Sequence, residues 1–427
     1  MTKNVSVPEG YKITELGMMP EDWDAVEIGQ LVDTVKNGFA SGKRDENGIV
    51  QIRMNNVTTE GTIIFDKYLK VPIPKNIETF SLKKGDFLFN NTNSIDLVGK
   101  SAIFCEAPFD CTFSNHFTRI RFKQNLVLPE IILLNTLILW RTGFFKTVAI
   151  RHVGQAAVHS KYLLKRKIPL QPLPQQQKIA SILSKVDEQI EQTEQIIEKT
   201  EILKKGLMQK LLTKGIGHTK FKKTNIGSVP EQWEIKEIAD VTDYVSYGFT
   251  NPMPTTTEGP FIITATNVDK GKIQYDNARH TSYEAYDKLT PKSKPIVDDV
   301  LLTKDGTLGK VGIVDRSDIC INQSVACMRL KKEFVHLDFF SQLLQSPDVQ
   351  KRILFDSGGS TIKHIYITKF AKMLISLPPL AEQQKIASIL SKVDSQIQDN
   401  QSYLHKIQEL KKGLMQDLLT GKVRVCV

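Results

Sequence analysis

The decapeptide KIASILSKVD occupies Lys178–Asp187 and occurs again, unchanged, at Lys385–Asp394, 207 positions later. Ten identical residues at that distance make an internal repeat, and a repeat fixes the architecture before any local reading. The match runs on without a gap: KKGLMQKLLT (Lys204–Thr213) answers KKGLMQDLLT (Lys411–Thr420), and 23 of the 36 positions from Lys178 to Thr213 are identical. Apolar residues in both copies fall at helical spacing on one stripe. Pro172 and Pro174, then Pro378 and Pro379, mark the starts, and Gly215 and Gly421 the stops. The result is two helices of roughly 36–40 residues, each ~55–60 Å long. A stripe of that length must be buried, and the economical partner for each helix is its near-twin, in a coiled-coil-like pair. The seam is read at Ile179, Ile182, Val186, Ile190, Ile197, Leu203 and Leu207, and at Ile386, Ile389, Val393, Ile397, Leu404, Leu410 and Leu414. Gln189, Thr193, Thr200 and Asn400 interrupt it and would fix its register, while Gly206 and Gly413 suggest a close backbone approach. An antiparallel pair avoids crowding two domains at one end. The alternative is that each helix caps only its own domain.

A weaker echo lies upstream of each helix. GMMPEDW (Gly17–Trp23) answers GSVPEQW (Gly227–Trp233), and NGFAS around Gly38 answers YGFTN around Gly248. The spacing predicts a domain over 1–172, a helix over 173–215, a second domain over 216–377, and a second helix with a tail over 378–427. Both domains mix short β-rich runs with helices, so the class is α+β with a pseudo-two-fold repeat. GTIIFDKYLKV, GDFLFNN, GPFIITATNV and DDVLLTK read as strands, and IILLNTLILW (Ile131–Trp140), too short to span a bilayer, reads as a buried helix. The two domains align only through anchors, among them SNHFTRIRF with NQSVACMRL.

Net charge is +10 and the pI about 9.1, which suits a polyanionic partner without proving one. The opening MTKNVSVPEGYKITELG shows no apolar core of a secretory leader, and five cysteines without a C-x-x-C spacing suit a reducing compartment, so a cytoplasmic location is expected. Motifs for chemistry are weak. SIDLVGKS (Ser94–Ser101) misses the first glycine of a phosphate-binding loop, and its Gly-Lys opens a strand instead of a helix. TNPMP (Thr250–Pro254) lacks the second proline and the aromatic of an amino-methyltransferase motif, SGGST (Ser357–Thr361) reads as a loop, and His116 and His159 read as hydrogen-bonded structural residues. Neither a metal site nor catalysis by this chain alone is expected.

At these residues the chain resembles the specificity subunits of type I restriction–modification systems. The resemblance rests on the domain openings ending at Trp23 and Trp233, on PLPQQQKIASIL and PPLAEQQKIASIL leading into the helices, and on the KKGLMQ-x-LLT helix ends. It spans essentially the whole chain, with Gln175 in the first copy where the second has Glu382. It implies two target-recognition domains, each reading one half of a bipartite DNA sequence, with the antiparallel helices as a ruler for the spacer between. It further implies two methyltransferase subunits docked along the helices and two restriction subunits. S-adenosylmethionine, ATP and Mg2+ would reside on those partners and none on this chain. A coiled-coil adaptor without DNA specificity, or an enzyme with an unrecognised motif, are the alternatives.

Phosphate contacts call for Lys, Arg or backbone N–H, and base edges for Arg, Lys, Asn, Gln, Ser or Thr. On Gly- and Asn-rich loops of the first domain, the candidates for double-stranded DNA are Lys43, Arg44, Arg53, Asn55 and Asn56, then Asn91, Asn93 and Lys100, then Arg151, His152 and Lys161. In the second domain they are Tyr247, Thr250, Thr266 and Asn267, then Lys304 and Lys310, then Lys363 and His364.

Overall fold

The structure is a computed structural model that describes residues 7–355 and 364–427; Lys363 and the SGGST loop lie outside the described residues. The chain divides into two compact units, 1–192 with 405–427, and 193–404. In the first unit, β1 (Val32–Asn37), β2 (Ile49–Ile52), β3 (Asp86–Asn90), β4 (Ser101–Phe104), β5 (Cys111–Phe113) and β6 (Phe117–Phe122) form two sheets. One is antiparallel in the order β1–β6–β3–β4, and in the other β2 runs parallel to β5 and antiparallel to Leu69–Val71. The IILLNTLILW run folds into α1 (Pro129–Arg141), whose Ile131, Ile132, Leu134 and Leu137 are buried. GTIIFDKYLKV is not one strand. Its strand is Leu69–Val71, and Ile63 makes a single antiparallel bridge with Val57; the Asn56 side-chain amide takes the carbonyls of Ile64 and Lys67 (3.1 and 2.9 Å), acceptors that a longer ladder would otherwise use.

Completing this unit is the start of α2 (Leu173–Lys214). The second unit repeats the plan with β7 (Thr242–Tyr247), β8 (Thr256–Ile263), β9 (Val300–Thr303), β10 (Val311–Ile313), β11 (Ile319–Ile321) and β12 (Val325–Leu330). The antiparallel order is β7–β12–β9–β10, and β8 runs parallel to β11. Helices α3 (Leu337–Gln345) and α4 (Leu380–Thr420) follow. The upstream echoes now have causes. A Cβ on Gly38 would lie 2.2 Å from the Ser114 carbonyl oxygen, and one on Gly248 1.7 Å from that of Ile321, so only glycine permits the strand crossing at each point.

Trp23 and Trp233 are fully buried against the starts of the long helices. The Trp23 indole N–H donates to Gln175 Oε1 at 2.8 Å, and that of Trp233 to Glu382 Oε2 at 3.1 Å. The next glutamine closes the joint. Gln176 Oε1 accepts the Leu128 N–H while its amide donates to the carbonyls of Leu126 and Gln171. Gln383 does the same with His336, Phe334 and Pro378. Each buried amide thus satisfies three backbone groups where an entering chain leaves them orphaned.

In the first unit, Ile179 and Leu183 of α2 share a core with Met415, Leu418 and Leu419 of α4, under Phe87, Phe89 and Ile131. In the second, Met208, Leu211 and Leu212 share a core with Ile386, Ala387 and Leu390, under Trp233, Phe339 and Phe340. Start packs on end in both units, so the helices run antiparallel. Repeat-related ion pairs mark the seam: Asp187 Oδ1 to Lys411 Nζ in the first unit and Asp394 Oδ1 to Lys204 Nζ in the second, both 2.5 Å. Three expected seam residues are corrected: Leu203, Leu410 and Ile389 are exposed, and the stripe passes through Leu183, Leu390, Ile407, Met208 and Met415 instead. The buried stem of Lys411 occupies the turn that Leu410 was expected to fill, a lysine covering apolar surface while its ammonium reaches Asp187. Thr200 and Asn400 fix no register across the seam, since each bonds back to the carbonyl four residues earlier, of Ile196 and Gln396.

Burial pushes the Cys111 and Cys320 thiols up to about 12, and all five cysteines are free. Among the described residues no helix is long and apolar enough to cross a membrane. Gly206 and Gly413 show no close approach, as a Cβ at either position meets no atom within 4 Å. Gly206→Ala and Gly413→Ala are therefore expected to stabilise the chain by about 1 kcal/mol each through helix propensity. A lower denaturation midpoint in either variant would mean that something absent from this structure packs there.

Candidate nucleic-acid interface

The turn that follows β2 places Arg53 and Asn55 opposite Lys100, which opens β4, and Asn93. These four expected residues line one cleft of about 690 Å³ together with Ser41, Gln51, Ser114, Asn115 and His116. Arg53 Nη2 donates to the Ser41 carbonyl at 3.1 Å, whereas its Nε is buried without a partner. Lys100 is buried with its Nζ 2.5 Å from the Val57 carbonyl oxygen, and desolvation pulls its pKa below the ordinary lysine value. Among the described residues no carboxylate lines the cleft. Gln51 Oε1, Ser114 Oγ and His116 Nδ1 are also buried and unpartnered. Each such atom costs about 1–3 kcal/mol if left dry, so four in one cleft point to a ligand or water that completes them. His116 is thus not the satisfied structural histidine expected; burial, then the Arg53 charge, lower its pKa and favour the neutral ring. His159 is satisfied, its Nδ1 accepting the Lys161 N–H at 3.0 Å.

Around this cleft, Lys43 and Arg44 are exposed on the loop that supplies Ser41 to its wall. Arg151 and His152 are exposed on a hairpin (Ile150–His152 with Gln155–Ala157) whose second strand pairs with Thr92–Asn93, and Lys161 is exposed beyond it. Asn91 is half-buried, donating to the Asn115 carbonyl and Thr118 Oγ1, and Asn93 is buried with its amide on Asn90 Oδ1 at 2.7 Å. Asn56 is no base reader. Besides its two carbonyls it accepts the Arg53 N–H at 3.0 Å, so its whole amide is spent on the turn.

The second domain differs. Asn267 repeats the structural role of Asn56, accepting the Thr264 N–H and donating to the Gln274 carbonyl. Thr250 and Thr266 are exposed, the latter sharing a hydrogen bond with Thr264. Lys304 is buried, 5.2 Å over the ring of half-exposed Tyr247, with its Nζ 2.9 Å from Asp305 Oδ2. His364 Nδ1 bonds to the other oxygen of Asp305. Burial opposes ionisation of Asp305, but the hydrogen bonds from Lys304 and His364 outweigh it and hold the carboxyl below its usual value. Lys310 is paired with Asp269 at 2.6 Å. Of the expected cations here, Lys304 and Lys310 are already neutralised by neighbouring carboxylates.

Sequence reading missed Ser41, Gln51, Ser114 and Asn115. The available signal was Gln51, a lone amide inside the apolar strand IVQI, every residue of which is buried. Among the described residues no group of three or more His, Cys, Asp or Glu side chains could hold a metal ion.

Two repeated α+β domains bearing polar loops, tied by a duplicated helix pair, define a two-headed recognition protein. Comparison with known proteins says which: the family model "Type I restriction modification DNA specificity domain" matches residues 20–201 and again 230–411, and the chain belongs to that family as a DNA-specificity subunit of a type I restriction–modification system. It is 31% identical to the candidate MjaX type I restriction enzyme specificity subunit of Methanocaldococcus jannaschii, over 98% of this chain and 97% of that one. It is 29% identical to the MjaVIII specificity subunit of the same organism, over 98% and 96%. In fold it is similar to the type I restriction–modification S subunit from M. genitalium (TM-score 0.56, 12% identity, 98% and 99% covered). It is also similar to a chain from a type I restriction–modification assembly (TM-score 0.59, 17% identity, 95% and 99% covered).

Free and paired cations differ in a measurable way. Lys43→Ala and Arg44→Ala are each expected to lower the salt slope of DNA binding by about one counterion. Lys304→Ala should leave that slope unchanged, because its charge is already spent on Asp305. Equal slopes for Lys43→Ala and the parent would remove that loop from the interface.

Proposed function

We propose that each domain of this subunit reads one half of a split DNA target, and that the antiparallel helices set the gap between the halves. The observation that carries this reading is the contrast between the repeats: the helix ends and joints are duplicated almost residue for residue, whereas the polar loops on the same strand frame are chemically different. Duplicated helix ends suit two copies of one partner, here a methyltransferase subunit, with two restriction subunits completing the complex. Exposed Leu203 and Leu410, one repeat apart, offer the same apolar contact twice. The chain itself performs no catalysis in this reading. S-adenosylmethionine, ATP and Mg2+ act on the partner subunits, and the complex works in the cytoplasm on double-stranded DNA.

The deciding experiment is a methylome of the host with and without this gene. Loss of one adenine-methylated motif with a fixed internal gap is expected on deletion, and an unchanged methylome with the partner subunits expressed would refute the assignment. The spacing role has its own test. Four residues inserted after Gln192 and four after Asp399, one repeat apart, lengthen each helix by ~6 Å. With ~3.4 Å of axial rise per base pair, the preferred gap should grow by about two base pairs with both half-sites unchanged. A changed half-site would contradict a purely spacing role.

A further inference from the structure

We propose that the cleft of the first domain reads a guanine, with Arg53 as the residue that distinguishes it. This rests on the reading of that domain as one DNA head and names the base chemistry it selects. Arg53 sits half-buried on the rim with one arm of its fork, Nη2, tied to the Ser41 carbonyl, which fixes the plane of the guanidinium. Among the described residues no hydrogen bond reaches Nη1, and Nη2 carries a second N–H, so the terminal Nη1/Nη2 edge is the fork left for a base, while Nε is buried and unpartnered. The cleft therefore presents oriented donors from Arg53, the exposed amide of Asn55 and the buried ammonium of Lys100, with no carboxylate to neutralise them.

The major-groove edges of the bases decide what fits. Guanine alone offers two adjacent acceptors, N7 and O6, which an arginine fork takes together; adenine pairs an acceptor with a donor, and cytosine offers a donor. A donor-rich cleft without a carboxylate matches guanine. The floor supplies the complementary acceptor, Gln51 Oε1, whose amide nitrogen is held on the Phe39 carbonyl at 3.0 Å so that the oxygen cannot exchange places with it. That oxygen suits the amino group of the paired cytosine, directly or through one water.

The second domain provides an internal control. Its counterparts of Arg53, Ser114 and His116 are Thr264, Asn322 and Ser324, on the same turn and strand. There Thr264 Oγ1 bonds to Asn267 Oδ1, and Ser324 Oγ bonds to Asn322 Oδ1 while accepting the Ala265 N–H. The frame is equal, yet those polar groups satisfy one another and carry no cation. The open valences of the first cleft are therefore a property of its residues and not of the fold.

The test uses the subunit assembled with its methyltransferase partners and duplexes carrying the methylome-defined motif, with each half-site position varied singly. Arg53→Ala is expected to weaken the cognate duplex about 10- to 100-fold and to abolish discrimination at one G·C pair in a single half-site, leaving the other half-site read as before. Arg53→Lys, which keeps the charge but not the fork, should recover the salt slope and not the discrimination. If Arg53→Ala instead weakens all duplexes equally and Arg53→Lys restores them, the cleft holds a phosphate and the guanine assignment is overturned. Parent-like selectivity in Arg53→Ala, with an unchanged melting temperature, would overturn it too. A parent complex that distinguishes no sequence would sink the DNA-reading role itself, which separates the two failures.

Discussion

The constraint on which everything else depends is the apolar stripe of the long helices. Neither domain closes its core with its own half of the chain. The first needs Met415, Leu418 and Leu419 from the far end of the sequence, and the second needs Met208, Leu211 and Leu212 from the helix that leaves the first. A substitution on either stripe is therefore felt by one domain and by the helix that arrives from the other repeat. This double duty accounts physically for the stretch that opens the sequence: KIASIL meets both a domain and the end of the other helix, so few side chains fit. The intervening stretches, IEQTEQIIE and IQDNQSYLH, lie between the two cores and have diverged.

The joint between domain and helix follows the same logic. A helix whose start is buried must satisfy its orphan donors and the carbonyls of the chain that enters it. One fully buried glutamine, Gln176 or Gln383, supplies one acceptor and two donors to three backbone groups, and the adjacent Gln175 or Glu382 holds the tryptophan indole. The change of Gln175 to Glu382 keeps the acceptor for the indole and adds a charge, which the second unit uses: Glu382 also bonds to His218 and to the Ile216 N–H just beyond the end of α2.

Sequence periodicity disclosed the helices, because a 3.6-residue stripe is a strong signal over ten turns; the repeat disclosed their twinning, and the need to keep two domains from crowding one end gave the antiparallel sense. It did not choose among neighbouring apolar positions. Leu203 and Leu410 carry the right chemistry, but the stems of Lys204 and Lys411 reach their partners across the seam, and a lysine stem is invisible to an apolar pattern. The glycines at 206 and 413 were misread for a similar reason: sequence shows the missing side chain and not whether anything fills its place. In the domains, Asn56 and Asn267 resembled base readers because an exposed and a buried asparagine look alike until hydrogen bonds are traced. His116 erred in the opposite direction. Its Nδ1 lacks a partner where Gln51 and Arg53 converge on the same space from a segment distant in sequence, which no local pattern reveals.

The two heads solve one electrostatic problem in opposite ways. Lys100 and Lys310 stand at equivalent points, each opening the strand after the Gly-Lys. Lys310 is matched by Asp269, and Lys304 nearby by Asp305, so those charges of the second domain are balanced within it. Among the described residues Lys100 has only a carbonyl, and Arg53 beside it has only another. A buried cation without a carboxylate costs stability in the free protein, and that cost falls when an electron-rich group enters. The first domain thus holds cations that no neighbouring carboxylate compensates, whereas the second presents Thr250, Thr266 and half-exposed Tyr247 as neutral polar groups beside paired lysines. The frame is equal and the charges are not: in this chain the inequality resides in the carboxylates Asp305 and Asp269 beside Lys304 and Lys310, which have no equivalent beside Arg53 and Lys100 among the described residues.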